Sequence, residues 1–419
     1  MGISRPKGTA DIFGTEAGMW RYIEGKIREV AALFGVEEIR TPMFENIELF
    51  VRSVGEATDI VSKEMYTTDY VEGQRRFALA PEGTAPAVRA YIENKIYNLP
   101  QPAKMYYLRP FFRAERPQKG RLRQFHSFGV EYFGSLAAHA DAELISLVQT
   151  LLVTLGLENF TLRINSIGDR DCRKMYNLAL LEFLGNCKDG LCDLCLGRME
   201  KNPMRVLDCK NGDCKALLEN APVPLDHLSE ESMAHFVQLQ ECLTDFGIPF
   251  VVDKSIVRGL DYYTRTVFEF TSTDLGAQAT VCGGGRYDNL IEDNGGPPAG
   301  AVGFGMGIER LLIMLEERGK LPKINYGITV FVGGMGEAGT RRAGQIAHEL
   351  RQNGVKAVCD LGGRSVKAQM KYADKLGARF SIVLGDFELE SGKVAVKPMA
   401  GGDAVEICIE KIVEYFTEV

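Results

Sequence analysis

Lys104–Gly134 reads KMYYLRPFFRAERPQKGRLRQFHSFGVEYFG, and the fold turns on how it is read. Two β-rich, aromatic stretches, KMYYLRPFFRAE and RLRQFHSFGVEYFG, flank the polar RPQKG with Gly120 in the turn, a pattern that predicts an antiparallel hairpin. The segment concentrates cations: Arg109, Arg113, Arg116, Lys119, Arg121 and Arg123 fall within fifteen residues. Arginine presents a planar fork of donors to carboxylate or phosphate and keeps its charge. An aromatic such as Phe125 offers a face for a nucleobase. Alternate strand residues face the same way, so Arg113, Glu115 and Phe125 can share one surface. Taken alone, the segment reads equally well as a solvated basic hairpin.

Working outward, FALAP leads into a helix, EGTAPAVRAYIENKI, with Glu82 and Thr84 at its start. Thr84 can cap that helix with Glu82 merely solvated, or the two can form an anionic site for an ammonium group. Apolar residues at helical spacing predict a helix from Glu16 to Phe34, stopped by Gly35, and another from Asp141 to Leu155. VEEIRTPMFE and FTLRINSIG read as strands. After Gly168 the texture becomes polar, helical and cysteine-bearing up to about Gly247, and then PFVVDKSIVRG, YYTRTVFEFTS and AQATVCGGGRYDN return to strand. From Ile328 short strands alternate with helices as βαβαβ, the signature of a separate α/β domain on a parallel or mixed sheet. The expectation is an α+β chain. Residues 1–167 and 250–322 form one antiparallel-sheet domain interrupted by a helical insertion at 168–249, and the α/β domain spans 328–419.

Three further clusters bear chemistry. GFGMGIERLL has glycines at 303, 305 and 307 ahead of Glu309 and Arg310. It is neither a dinucleotide fingerprint nor a P-loop, but it permits close approach of a backbone or flat ligand. VRGLDYYTRTVFEF places Arg258 and Asp261 beside Tyr262 and Tyr263. VCGGGRYDNL reads as a glycine turn with Arg286 leading to Tyr287 and Asp288, groups suited to a polar, nitrogen-bearing small molecule.

Composition narrows the class. The chain has 419 residues, 45% hydrophobic and 25% charged, and no apolar run long enough for a membrane span. Its opening MGISRPKGTADIFG lacks a secretory core, so a cytoplasmic protein without membrane association is expected. A net charge of −7 argues against broad nucleic-acid binding while leaving room for local basic patches. Five of the ten cysteines lie between Cys187 and Cys214. Cys192-x2-Cys195 and Cys209-x4-Cys214 are compatible with a tetrahedral zinc site, with Cys187 as a spare. The 13-residue gap and the looser second pair favour free thiols over structural Zn2+.

Together these motifs closely resemble class II aminoacyl-tRNA synthetases and, within them, the histidyl branch. TPMFE around Pro42 is similar to the first class motif, FRAE with RPQKGRLRQFH to the second, and GFGMGIER to the third. RGLDYYTRTVFEF and GGGRYD match the histidyl branch, and RPKGTADIF and LGGRSVKAQMKYADKLGARF extend the likeness to both ends. The resemblance implies ATP-dependent activation of L-histidine and transfer to tRNA(His), with Mg2+, by a homodimer assembled through the first motif. It implies that Arg113 holds the carboxylate and α-phosphate, and that Arg258 stabilises charge building on that phosphate. Arg310 and Phe125 would sandwich adenine with Glu115 at its edge. Glu82 and Thr84 would take the amino group; Glu131 and Tyr263 would read the imidazole, with Tyr262 and Tyr287 lining the pocket. Ser127 departs from the family, which usually has a substrate-binding glutamine there. The last domain resembles an anticodon-binding module, in which Arg364, Lys367, Lys371 and Lys375 would form a basic stripe. The resemblance also raises two rivals, a histidine-binding regulatory relative and a sister synthetase for another amino acid.

Overall fold

A computed structural model of the chain describes residues 2–56, 58–72, 75–207, 209, 211–256, 260–278, 280–324 and 327–418. Two compact units emerge, Met1–Pro322 and Lys323–Val419.

The first unit is built on the hairpin of Ala103–Phe112 and Gln124–Phe133. Its strands pair antiparallel with Tyr107 opposite Gly129 and Phe111 opposite Phe125. Four more antiparallel strands follow across the sheet: Ala301–Gly307, Thr280–Arg286, Thr264–Thr271 and Thr161–Ser166. Short parallel strands, Glu37–Glu38 and Phe250–Val252, close the two edges. VEEIRTPMFE is therefore not one strand. It splits at Pro42 into Glu37–Glu38 here and Phe44–Asn46 in a separate three-stranded sheet.

Period-two alternation gives this sheet two unlike faces. Phe128, Val130, Tyr132, Val302, Phe304 and Met306 point into one core, against Gly14–Leu33, Ala138–Thr154 and Glu230–Asp245. Those helices have the apolar recurrence for it: Ile23, Ile27 and Val30 on the first, and Leu144, Leu147, Val148 and Leu151 on the second, are all buried. Each such side chain contributes roughly 1.5–3 kcal/mol by leaving water. The opposite face carries Tyr107, Phe111, Glu131, Phe133 and glycines, and it holds the cavity.

The strand reading of AQATVCGGGRYDN holds, and the turn reading of VCGGGRYDNL does not. Its glycines lie within the Thr280–Arg286 strand rather than in a turn, and Arg286 is fully buried. Around 170–245 the chain is helical, with Asp169 capping Arg170–Asn186 through the amides of Asp171 and Cys172 at 3.0 and 2.9 Å.

In the second unit, Ala357–Cys359, Val330–Gly334 and Phe380–Leu384 run parallel. The sheet then continues antiparallel through Lys393–Pro398 and Val405–Cys408, a hairpin beyond the expected βαβαβ run. Helix Val366–Lys375 exposes Lys367, Lys371 and Lys375 at fourfold spacing. Arg364 stands apart from that stripe: it pairs with Asp360 at 2.6 Å and packs 4.4 Å from the Tyr372 ring centroid.

Candidate active site

A cavity of about 410 Å³ opens on the glycine-bearing face, lined by Glu82, Thr84, Arg113, Glu115, Phe125, Ser127, Tyr262, Tyr263 and Arg310 among others. Glu131 and Tyr287 lie buried at its floor, bonded to its lining. The candidate residues from distant stretches thus converge, except Arg258, which lies outside the described residues.

The floor is organised by Glu131. One carboxylate oxygen accepts from Thr84 Oγ1 at 2.8 Å and Tyr107 OH at 3.0 Å, and the other accepts from Tyr287 OH. All of these donors are neutral. Burial pushes the Glu131 carboxyl up to about 8 against the pull of the Tyr287 and Thr84 hydroxyls, and nearby Glu82 adds to the rise. Only a glycine fits opposite it: a Cβ at Gly303 would come 1.7 Å from Glu131 Oε2. Gly129 is bare for a similar reason, since a Cβ there would meet the Tyr107 ring at 2.2 Å. The alternating glycines of GFGMG are thus a vacated sheet face, paired in register with Glu131, Gly129 and Ser127.

At the start of helix Thr84–Glu93 the capping roles differ from the simple expectation. Glu82 caps, its carboxylate accepting from the Thr84 and Ala85 amides at 2.8 and 2.9 Å, while the Thr84 hydroxyl turns to Glu131. Burial raises the Glu82 carboxyl, opposed by those amides. Two buried acids side by side gain from a cation between them, because its charge offsets the burial cost of their ionised forms.

Arg113 lies beyond the end of its strand, tied to Pro81 O at 2.8 Å with its guanidinium 5.2 Å from the Phe125 ring centroid. Burial lowers its pKa, partly offset by Glu115 and Glu64. Across the cavity Arg310 donates to the carbonyls of Thr280 and, at 3.4 Å, Gly120. Glu115 pairs with Arg121 at 3.1 Å. The Ser127 hydroxyl proton is spent on Met306 O at 3.2 Å, so the position contributes space and acceptor lone pairs rather than an amide.

Three positioning residues act across long stretches of chain, and of these only Glu309 lies in a motif. Glu309 accepts from the His126 amide at 2.9 Å and sits 3.0 Å from its Nδ1, locking the second motif strand to the third motif helix. Arg173 donates to the carbonyls of Asp261, at 2.8 Å, and Tyr263, holding the tyrosine segment. Asp141 meets Arg286 at 2.7 Å with both side chains fully buried. A helix period can mark Asp141 and Arg173 as lying on inward faces, but their partners are more than 80 residues away.

A ligand cavity on one face of an antiparallel sheet, ringed by motif arginines, with a separate α/β unit, defines the chain as a class II aminoacyl-tRNA synthetase. The family model described as histidyl-tRNA synthetase matches residues 8–168 and 195–311, and that described as anticodon binding domain matches 329–419. A histidine–tRNA ligase of Thermoanaerobacter pseudethanolicus is 54% identical over 409 residues, 97% of each chain, and one of Clostridium botulinum is 50% identical over 413 residues, 98% of each. The apo histidyl-tRNA synthetase structure from S. aureus superposes with a TM-score of 0.84 at 41% identity, covering 99% of this chain and 100% of that one. A Bacillus halodurans structure titled as an ATP phosphoribosyltransferase regulatory subunit/histidyl-tRNA synthetase shares the fold at TM-score 0.64 and 23% identity, covering 92% and 99%. The chain belongs to the histidyl-tRNA synthetase family.

Proposed function

We propose that this chain activates L-histidine with ATP and transfers it to the 3′ end of tRNA(His), with the histidine seated on Glu131. The observation that carries the reading is the Glu131 carboxylate, buried and surrounded by hydroxyls at the floor of a cavity whose rim carries Arg113, Arg310 and Phe125. An imidazole N–H directed at that carboxylate favours its charged form, which burial disfavours; a side chain without such a donor brings no such partner. Tyr263 reads the other edge of the ring, with Tyr262 and Tyr287 as walls. Glu82 and Thr84 receive the ammonium.

The first step joins a histidine carboxylate oxygen to the ATP α-phosphorus and breaks the bond to pyrophosphate. In the second, the terminal ribose hydroxyl of tRNA attacks the adenylate carbonyl and AMP departs. Neither needs an enzyme nucleophile; positioning and charge stabilisation suffice. Arg113 holds the carboxylate against the α-phosphate, while Arg310 and Phe125 flank adenine with Glu115 at its edge. The Glu269 carboxylate on the cavity wall offers a hard oxygen donor that would help hold Mg2+, whose charge would screen the nucleotide phosphates. Arg258 is assigned to the α-phosphate on motif resemblance alone.

Four observations bear on partners and location. Lys367, Lys371 and Lys375 form an exposed stripe for tRNA phosphates. The first motif, with Phe44 exposed, supports a homodimer. No helix among the described residues is long and apolar enough to cross a membrane. The ten free cysteines fit a reducing, cytoplasmic setting.

Pyrophosphate exchange measured across the amino acids tests the reading: exchange should require histidine. No exchange with histidine would indicate a regulatory relative, and exchange with another amino acid a sister synthetase. Arg258→Ala should suppress exchange in a folded protein, and near-normal exchange would remove its role.

A further inference from the structure

The helical segment below the tyrosines contains a second constellation. Cys192, Cys195, Cys209 and Cys214 bring their Sγ atoms within 4.8 Å of one another, and the Cys192–Cys209 pair stands 3.9 Å apart. A disulfide requires about 2.05 Å. Four sulfurs at Zn–S bonds of about 2.3 Å around a tetrahedron lie about 3.8 Å from each other, close to what is seen. The Cys192 amide donates to Cys214 Sγ at 3.3 Å, a hydrogen bond that ties the first cysteine pair to a sulfur of the second. Cys187 is not a spare ligand, because its thiol is directed at the carbonyls of Phe183 and Leu184.

We propose that these four cysteines bind one structural Zn2+, and that the metal braces the wall of the active-site cavity. An all-sulfur, four-ligand set selects zinc or iron over hard cations, and a closed shell suits a structural ion. The segment has reason to need it. Its core is small, formed by Tyr176, Leu180, Leu184, Leu191 and Val206 with three of the cysteines, and small cores rely on such clasps. Its location gives the metal reach. Helix Asp193–Lys201 carries Cys195 and leads to Asn202, whose Nδ2 donates to Asp261 at 3.0 Å. Arg205, four residues before Cys209, lies 3.5 Å from the same carboxylate. Asp261 adjoins Tyr262 and Tyr263 on the cavity wall. Binding displaces the thiol protons, so affinity falls in acid.

The full-length protein, purified without chelator, should contain about one zinc per chain. Cobalt substitution should give sulfur-to-metal charge-transfer bands and the visible absorption of a tetrahedral site. Cys195→Ser should lose the metal, Cys187→Ser should keep it, and Cys209→His should keep it as a three-sulfur, one-nitrogen site. If Cys195→Ser fails to fold, titrating the parent with an organomercurial should release one zinc for four thiols consumed. Absence of stoichiometric zinc, iron in its place, metal retained by Cys195→Ser, zinc released without those thiols, or mapped disulfides among the four would each overturn the site. The bracing role rests on the function proposed above. Metal-free protein should show histidine KM raised several-fold, with kcat changed less; an unchanged KM would remove the brace while leaving the zinc site. Absence of exchange by the zinc-loaded parent would instead count against the proposed function.

Discussion

Two buried ion-bearing regions share one sheet and behave differently. Arg286 has every donor used: Nε and one terminal nitrogen on Asp141, the other on Asp288 and Ser135 O, with Ala137 O completing the set. The two aspartates outweigh the cost of burial and hold its guanidinium above its ordinary pKa. Glu131, equally buried, meets only neutral hydroxyls and stays partly uncompensated. The first region is closed and serves the scaffold. The second is open to a cavity and suits a ligand that brings a proton donor. Full internal satisfaction marks structure, and incomplete satisfaction facing a cavity marks a site.

The comparison can be broken most directly at Glu131. Glu131→Gln should lower kcat/KM for histidine in exchange by about 10³–10⁴-fold while the protein stays folded. A loss below tenfold would mean that the carboxylate does not read the substrate. Asp141→Ala should do the reverse, costing about 3–5 kcal/mol of stability by stranding Arg286, as read in denaturant unfolding. An unaltered midpoint would show the pair to be dispensable. Gly303→Ala pushes a methyl into Glu131 and should cost about 10²-fold in activity, measured in the same exchange assay.

Titration sharpens the contrast. Glu131 moves from an ordinary 4.5 to about 8 on folding. With the folded value above the unfolded one, its contribution to stability is full below about 4.5 and is lost as pH rises through about 8. Glu131→Gln carries no such loss, so its melting temperature relative to the parent should climb across that window; a flat difference would contradict the raised pKa. The smallest effect is expected in the second unit. Lys371→Ala should weaken tRNA binding a few-fold and reduce its salt slope by about 1 in filter binding, and an unchanged slope would take that lysine off the RNA.

Much was legible because it is local. The aromatic stretches around Gly120, the helical spacing from Ile23 to Phe34 and the motif residues Arg113, Phe125 and Arg310 all declare themselves within a few residues of chain. Misreadings came where a local signal was overridden. Three glycines beside Arg286 look like a turn, yet neighbouring strands required a bare face and a buried guanidinium there. Thr84 looks like a cap, yet Glu82 was closer to the free amides.

By itself the sequence determined which elements form, their alternation, the family and the residues with the right chemistry, since each follows from covalent order and near-neighbour spacing. Only the tertiary structure decided that Gly303 exists to admit Glu131, that this acid is held near 8, and that two cysteine pairs thirteen residues apart meet within 4.8 Å. Those depend on desolvation and on contacts between distant stretches, quantities that come into being when the sheet closes over its core.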